Sequence, residues 1–111
     1  MKTKEPTGSL SALPAELLDR MADTLRLLAH PVRLRIIDLL AIRGDAPVHA
    51  VTTRLGLPHA ATSQHLNQMK RIGLIRAERR GKEVWYSVAD PKALTILQCI
   101  RNCGKNCGGK P

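Results

Sequence analysis

Three cysteines, Cys99, Cys103 and Cys107, stand four residues apart at the end of a 111-residue chain. On a helix, residues at i and i+4 have β-carbons about 5–6 Å apart, so sulfurs at i, i+4 and i+8 can converge on one soft centre. Thiolates select soft or thiophilic ions. Three of them without an evident fourth ligand suit trivalent arsenic or antimony, As(III) or Sb(III), which take three sulfurs in a pyramid. Structural zinc usually wants four ligands, and no histidine follows His65. Zinc or cadmium would therefore need a ligand from a second chain. Two other readings stay open: oxidation of the thiols to a disulfide, and incidental cysteines in a tail. Arg101 and Lys105 lie close in sequence and are expected to favour thiolate over thiol. Gly104 separates Cys103 from Cys107, so the third thiol is expected to be brought in by fraying or a turn.

A second constellation is basic. Lys and Arg number 18 against 9 Asp and Glu, a net charge of +9. Such an excess points to a polyanionic partner. There is no Phe, and Trp85 and Tyr86 are the only large rings. Single-stranded nucleic acid is usually held by stacking bases on aromatic platforms, which this composition cannot build. Duplex DNA, held through phosphates and read in a groove, suits it better. Enzyme chemistry is not expected: no cysteine has a positioned base, and no Cys-x-x-Cys pair occurs in a βαβ setting. No apolar run approaches the ~20 residues of a membrane span, and the first residues lack the apolar stretch of a signal peptide. A soluble, cytoplasmic protein without a membrane partner is the expectation.

The elements that must position these residues follow from periodicity. Residues 1–13 read as a mobile tail. Pro14 opens a helix whose stripe of Leu17, Leu18, Met21, Leu25 and Leu28 has helical spacing. Pro31 starts a second helix, apolar around most of its circumference. Residues 43–47 read as a loop. A short helix, Val48 to Leu55, ends at Gly56, and a longer one runs from Pro58 to about Ile72. Two helices joined by a short turn containing Gly are the helix-turn-helix pattern. The period then becomes two: strands at 74–79 and 83–88 flank a tip at Arg80-Gly81-Lys82. Asp90-Pro91 caps and opens a last helix over 91–103. The expectation is a mainly α fold with a small β-hairpin, a winged helix-turn-helix in the order α-α-α-α-β-β-α. Residues 14–103 form the DNA-binding and dimerisation domain, and 99–111 a Cys-rich segment for an inducer. The first and last helices keep apolar stripes that a second copy would bury, which implies a homodimer through them.

At 100° per residue, Thr62, Leu66 and Met69 share one face of the 58–72 helix and should pack inward. His59, Ala60, Ser63, Gln64 and Asn67 share the opposite face, polar and without acid, as a major-groove helix requires. Gln64 can pair bidentately with adenine, and Ser63 can meet base or phosphate. Lys70 and Arg71 suit phosphate. Arg79, Arg80 and Lys82 surround the hairpin tip as a phosphate track or minor-groove probe. His65 flanks the inward face, so a structural hydrogen bond and a DNA contact are both open to it.

Leu27-Leu28-Ala29-His30-Pro31-Val32-Arg33-Leu34-Arg35-Ile36-Ile37 resembles the opening of the ArsR/SmtB metal- and metalloid-sensing repressors. So do Leu55-Gly56-Leu57-Pro58-His59-Ala60-Ala61-Thr62-Ser63-Gln64-His65-Leu66 and Met69-Lys70-Arg71-Ile72-Gly73-Leu74-Ile75. Arg79-Arg80-Gly81-Lys82-Glu83-Val84-Trp85-Tyr86 completes the likeness, which spans roughly residues 15–100. It implies a homodimeric winged helix that binds operator DNA and lets go when an inducer binds. Many arsenic- and cadmium-sensing members carry Cys-x-Cys in the helix before the recognition helix. Here that stretch is Val48-His49-Ala50-Val51-Thr52-Thr53-Arg54, without cysteine. Any inducer thiols must therefore come from the C-terminal cluster, a move this family's varied inducer positions allow.

Overall fold

A computed structural model describes residues 9–106. The chain runs α1 (Ala15–Leu28), α2 (Pro31–Arg43), β1 (Ala46–Pro47), α3 (Val48–Leu55), α4 (His59–Arg71), β2 (Ile75–Arg80), β3 (Glu83–Val88) and α5 (Pro91–Asn106). This is the expected winged helix-turn-helix with one added strand. Within the expected tail, residues 1–8 lie outside the described part. Leu10–Ala12 form a short 3-10 turn capped by the Ser9 side chain.

The core forms around α2. Its Ile36, Ile37, Leu39 and Leu40 are buried with Val51 of α3, Leu66 and Met69 of α4, Leu74, Ile75 and Tyr86 of the wing, and Ala93 and Leu97 of α5. A helix apolar on most sides must be surrounded, and α2 is. By contrast α1 buries only Thr24 and Leu28. Its Leu25, together with Leu94 and Ile100 of α5, remains exposed in the single chain. The stripes of the outer helices are thus only partly covered. No helix among the described residues is long and apolar enough to cross a membrane.

Two boundaries differ from expectation. Residues 43–47 do not form a plain loop: Ala46 and Pro47 pair with Tyr86 and Trp85, giving a three-stranded antiparallel sheet in the order β1-β3-β2. Two residues are too few for alternation to register, and Pro argues against a strand except at an edge, where β1 lies. The last helix also does not stop near Gly104 but continues through it to Asn106. A single helical Gly costs only about 1 kcal/mol relative to Ala. Elsewhere the local chemistry behaves as read. Asp90 Oδ1 accepts from Lys92 N at 2.9 Å and so caps α5.

Candidate nucleic-acid interface and thiol cluster

The turn between α3 and α4 depends on Gly56, whose φ of 66° is left-handed. That conformation lets the Gly56 N–H donate to the Thr52 carbonyl at 2.8 Å and the Leu57 N–H to the same oxygen at 3.2 Å. The chain then re-enters a helix at His59. Thr62, Leu66 and Met69 are fully buried, and Thr62 Oγ1 donates to the Pro58 carbonyl at 3.0 Å. His59, Ala60, Gln64 and Asn67 are exposed and Ser63 is half-buried, while Lys70 and Arg71 are exposed in the last turn. The inward and outward faces of α4 are those anticipated from its period.

His65 takes the structural role. Its Nδ1 accepts from Arg33 Nε at 3.0 Å, and its ring meets that of His30 edge-on, centroids 4.9 Å apart. Burial, then the Arg33 charge, then His30 hold its pKa below the ordinary value. Arg33 also donates to Gln68 Oε1 and, at 3.1 Å, to the Leu27 carbonyl. The importance of Arg33 is not visible in the sequence.

β2 and β3 pair from Ile75↔Val88 to Arg80↔Glu83, leaving Gly81-Lys82 as a two-residue tip. Gly81 has φ 64° and, among the described residues, no non-Gly residue has positive φ, which is the type II′ pattern with Gly first. Arg79 and Lys82 are exposed. Arg80, expected at the DNA, ends β2 beside the tip and also engages the wing itself. Its guanidinium donates to Glu78 and to Asp45, both at 2.8 Å, and lies 4.6 Å from the centre of the Trp85 ring. Hydrogen bonds to Glu78 and then Asp45 raise its pKa further, so it stays charged. His49 of α3 meets Glu83 at 2.7 Å. That contact borders a cleft of about 270 Å³ lined by His59, Lys82 and Tyr86, among others, where α3, α4 and the wing converge.

Cys99 and Cys103 are both exposed on α5, one turn apart. Cys107 lies outside the described residues. Among the described residues no three His, Cys, Asp or Glu side chains gather as a metal site. The two thiols fit part of a soft-ion site, with the remaining donor to come from elsewhere. Arg101 does not attend them as expected: it pairs with Asp38 of α2. It stands about 200° around the helix from Cys99, on the side packed against α2.

A helix-turn-helix domain family model matches residues 28–78. The transcriptional repressor SmtB of Mycobacterium tuberculosis is 36% identical over 94 residues, covering 84% of this chain and 69% of the relative. The chain belongs to the ArsR/SmtB family. The homodimeric winged helix-turn-helix DNA-binding domain of a possible ArsR-family regulator from Mycobacterium bovis superposes with a TM-score of 0.73. It is 29% identical, over 90% of this chain and 91% of that one. A probable mercury resistance operon repressor of Streptomyces lividans is 30% identical over 103 residues, covering 91% of this chain and 82% of the relative. As an ArsR/SmtB member the chain is a DNA-binding transcriptional regulator and not an enzyme, and its homodimeric neighbour supports dimerisation. Its α3, lacking cysteine, departs from the thiol pattern found in many sensors of this family.

Proposed function

We propose that this chain is a dimeric repressor. It reads operator DNA with α4 and the wing, and it releases the operator when As(III) or Sb(III) is gathered by Cys99, Cys103 and Cys107. One observation carries the DNA half: an acid-free outer face on α4, with His59, Ala60, Ser63, Gln64 and Asn67, set beside a basic wing. Gln64 and Asn67 read base edges, and His59 lies at the end of α4 where base edges are commonly met. Lys70, Arg71, Arg79 and Lys82 hold phosphates. Arg80 acts mainly by stiffening the wing and presents what remains of its charge to the backbone.

The inducer half is supported by the placement of Cys99 and Cys103. They are exposed on one helix, on a side adjoining the half-buried Ile96 and the exposed Ile100. Drawing thiols together there would disturb the seam expected between protomers and so the spacing of the two α4 helices. Coupling of this kind is typically ~1–3 kcal/mol, or about 5–150-fold in affinity. A soft divalent metal is a second reading, favoured by the likeness to the mercury resistance repressor across most of the chain.

The test uses a duplex selected from a random pool by the reduced protein. Arsenite, antimonite, mercuric ion, cadmium, zinc and peroxide are then added separately. Release by the trivalent metalloids, abolished in Cys103→Ser and Cys107→Ser, is expected. Release only by mercuric ion, cadmium or zinc moves the inducer to the divalent class, and release only by peroxide makes the cluster a redox sensor.

A further inference from the structure

Arg33 lies in the first turn of α2 and donates from each of its three guanidinium nitrogens to a different partner. Nη1 donates to the Leu27 carbonyl at the end of α1, Nε to His65 and Nη2 to Gln68. His65 and Gln68 are three residues apart on α4, hence on one side of it, flanking the face buried in the core. We propose that Arg33 is the positioning residue for the recognition helix, and that its grip holds only while His65 is neutral. The inference rests on α4 being the DNA reader.

The chemistry is directional. An arginine can only donate, so the His65 nitrogen it meets must be without a proton. The neutral ring then carries its proton on Nε2. A second proton on Nδ1 converts acceptor to donor and sets a cation against a guanidinium. The titratable and charged groups that act on His65 are Arg33 and His30. Gln68 is neutral, and α1 contributes the Leu27 carbonyl to this cluster. His30 cannot absorb the change, because its own Nδ1 accepts from Val32 N at 3.2 Å as the cap of α2. Burial and the Arg33 charge keep His65 neutral at neutral pH. Acidification therefore loosens α4 at its inner flank while the outer face keeps every residue. Lysine cannot replace Arg33, since one ammonium does not reproduce the planar fork.

Added charge near phosphate strengthens binding to any duplex alike, whereas a loosened α4 loses discrimination. The measurement is the affinity ratio between a selected duplex and its scrambled counterpart at fixed salt, from about pH 7.5 down to about pH 5.5, the range in which His titrates. For the wild type the ratio is expected to fall about tenfold, ~1.4 kcal/mol. His65→Gln keeps an acceptor for Arg33 and should hold the ratio flat, while Arg33→Lys should be low throughout. A flat wild-type ratio, or His65→Gln falling with the wild type, overturns the proposal. Amide exchange without DNA gives a separate reading: acid should speed exchange in α4 of the wild type but not of His65→Gln. If no duplex is selected, α4 fails as a reader and the exchange experiment decides the Arg33 grip alone. Should Arg33→Lys not fold, the comparison of wild type with His65→Gln still decides.

Discussion

At the scale of single residues, α4 separates packing from reading. Leu66 is fully buried beneath the helix, so Leu66→Ala removes core volume at a cost of about 2–5 kcal/mol, to be read from a thermal or urea melt. Gln64 is exposed on the outer face, so Gln64→Ala leaves that melt unchanged. It should lose ~1–3 kcal/mol of base discrimination at one operator position, visible by competing single-base variants of the selected duplex. His65 links stability to pH with a definite sign. Its folded pKa lies below the ordinary 6.5. Its contribution is therefore complete above that pH and is lost as the pH falls through the folded value, and His65→Gln should remove this dependence from the melts. The two faces of α4 were legible because Thr62, Leu66 and Met69 repeat at helical spacing. Arg33 was not: its two side-chain partners lie 32 and 35 residues away, and no local pattern encodes a contact made across that separation.

At the scale of elements, turn residues and periodicity identified the helices and the hairpin, and tertiary pairing moved their edges. Gly56 and Gly81 mark the two reversals that aim α4 and the wing. Gly81→Ala places a β-carbon on a positive-φ residue, a change worth about 1–2 kcal/mol, and should lower the melting temperature. Lys82 stands beside it at the tip. Lys82→Ala should weaken binding to selected and scrambled duplexes equally and reduce the salt slope by about 1, checked by titration at several salt concentrations. The short β1 escaped the sequence reading because only its pairing with β3 makes it a strand. That pairing brings Asp45, just before β1, within 2.8 Å of Arg80. A residue that composition marks as one more DNA cation is thereby also tied to Glu78 of its own strand and to the segment before β1.

At the scale of the whole molecule, the charge of +9 and the partly covered outer helices describe one design. A single winged unit has enough charge to approach duplex DNA but leaves apolar residues on α1 and α5 without a complete cover. Pairing through those helices would fix the separation of two readers. Ile100→Asp should accordingly shift the protein toward monomers in sedimentation and weaken binding to a two-fold operator much more than binding to half of one. The architecture was readable because it rests on long apolar stripes. The arrangement of the thiols was less so, because helix periodicity does not say whether a chain continues past a glycine.

That continuation matters for the cysteines. Around Gly104 the neighbouring residues from Asn102 to Lys105 are all exposed, and nothing approaches where a glycine side chain would be. This last turn is exposed and has a residue of poor helical propensity at its centre. Uncoiling it would be inexpensive, so a thiophile could wrap the chain's end around itself without first prising apart the hydrophobic interior.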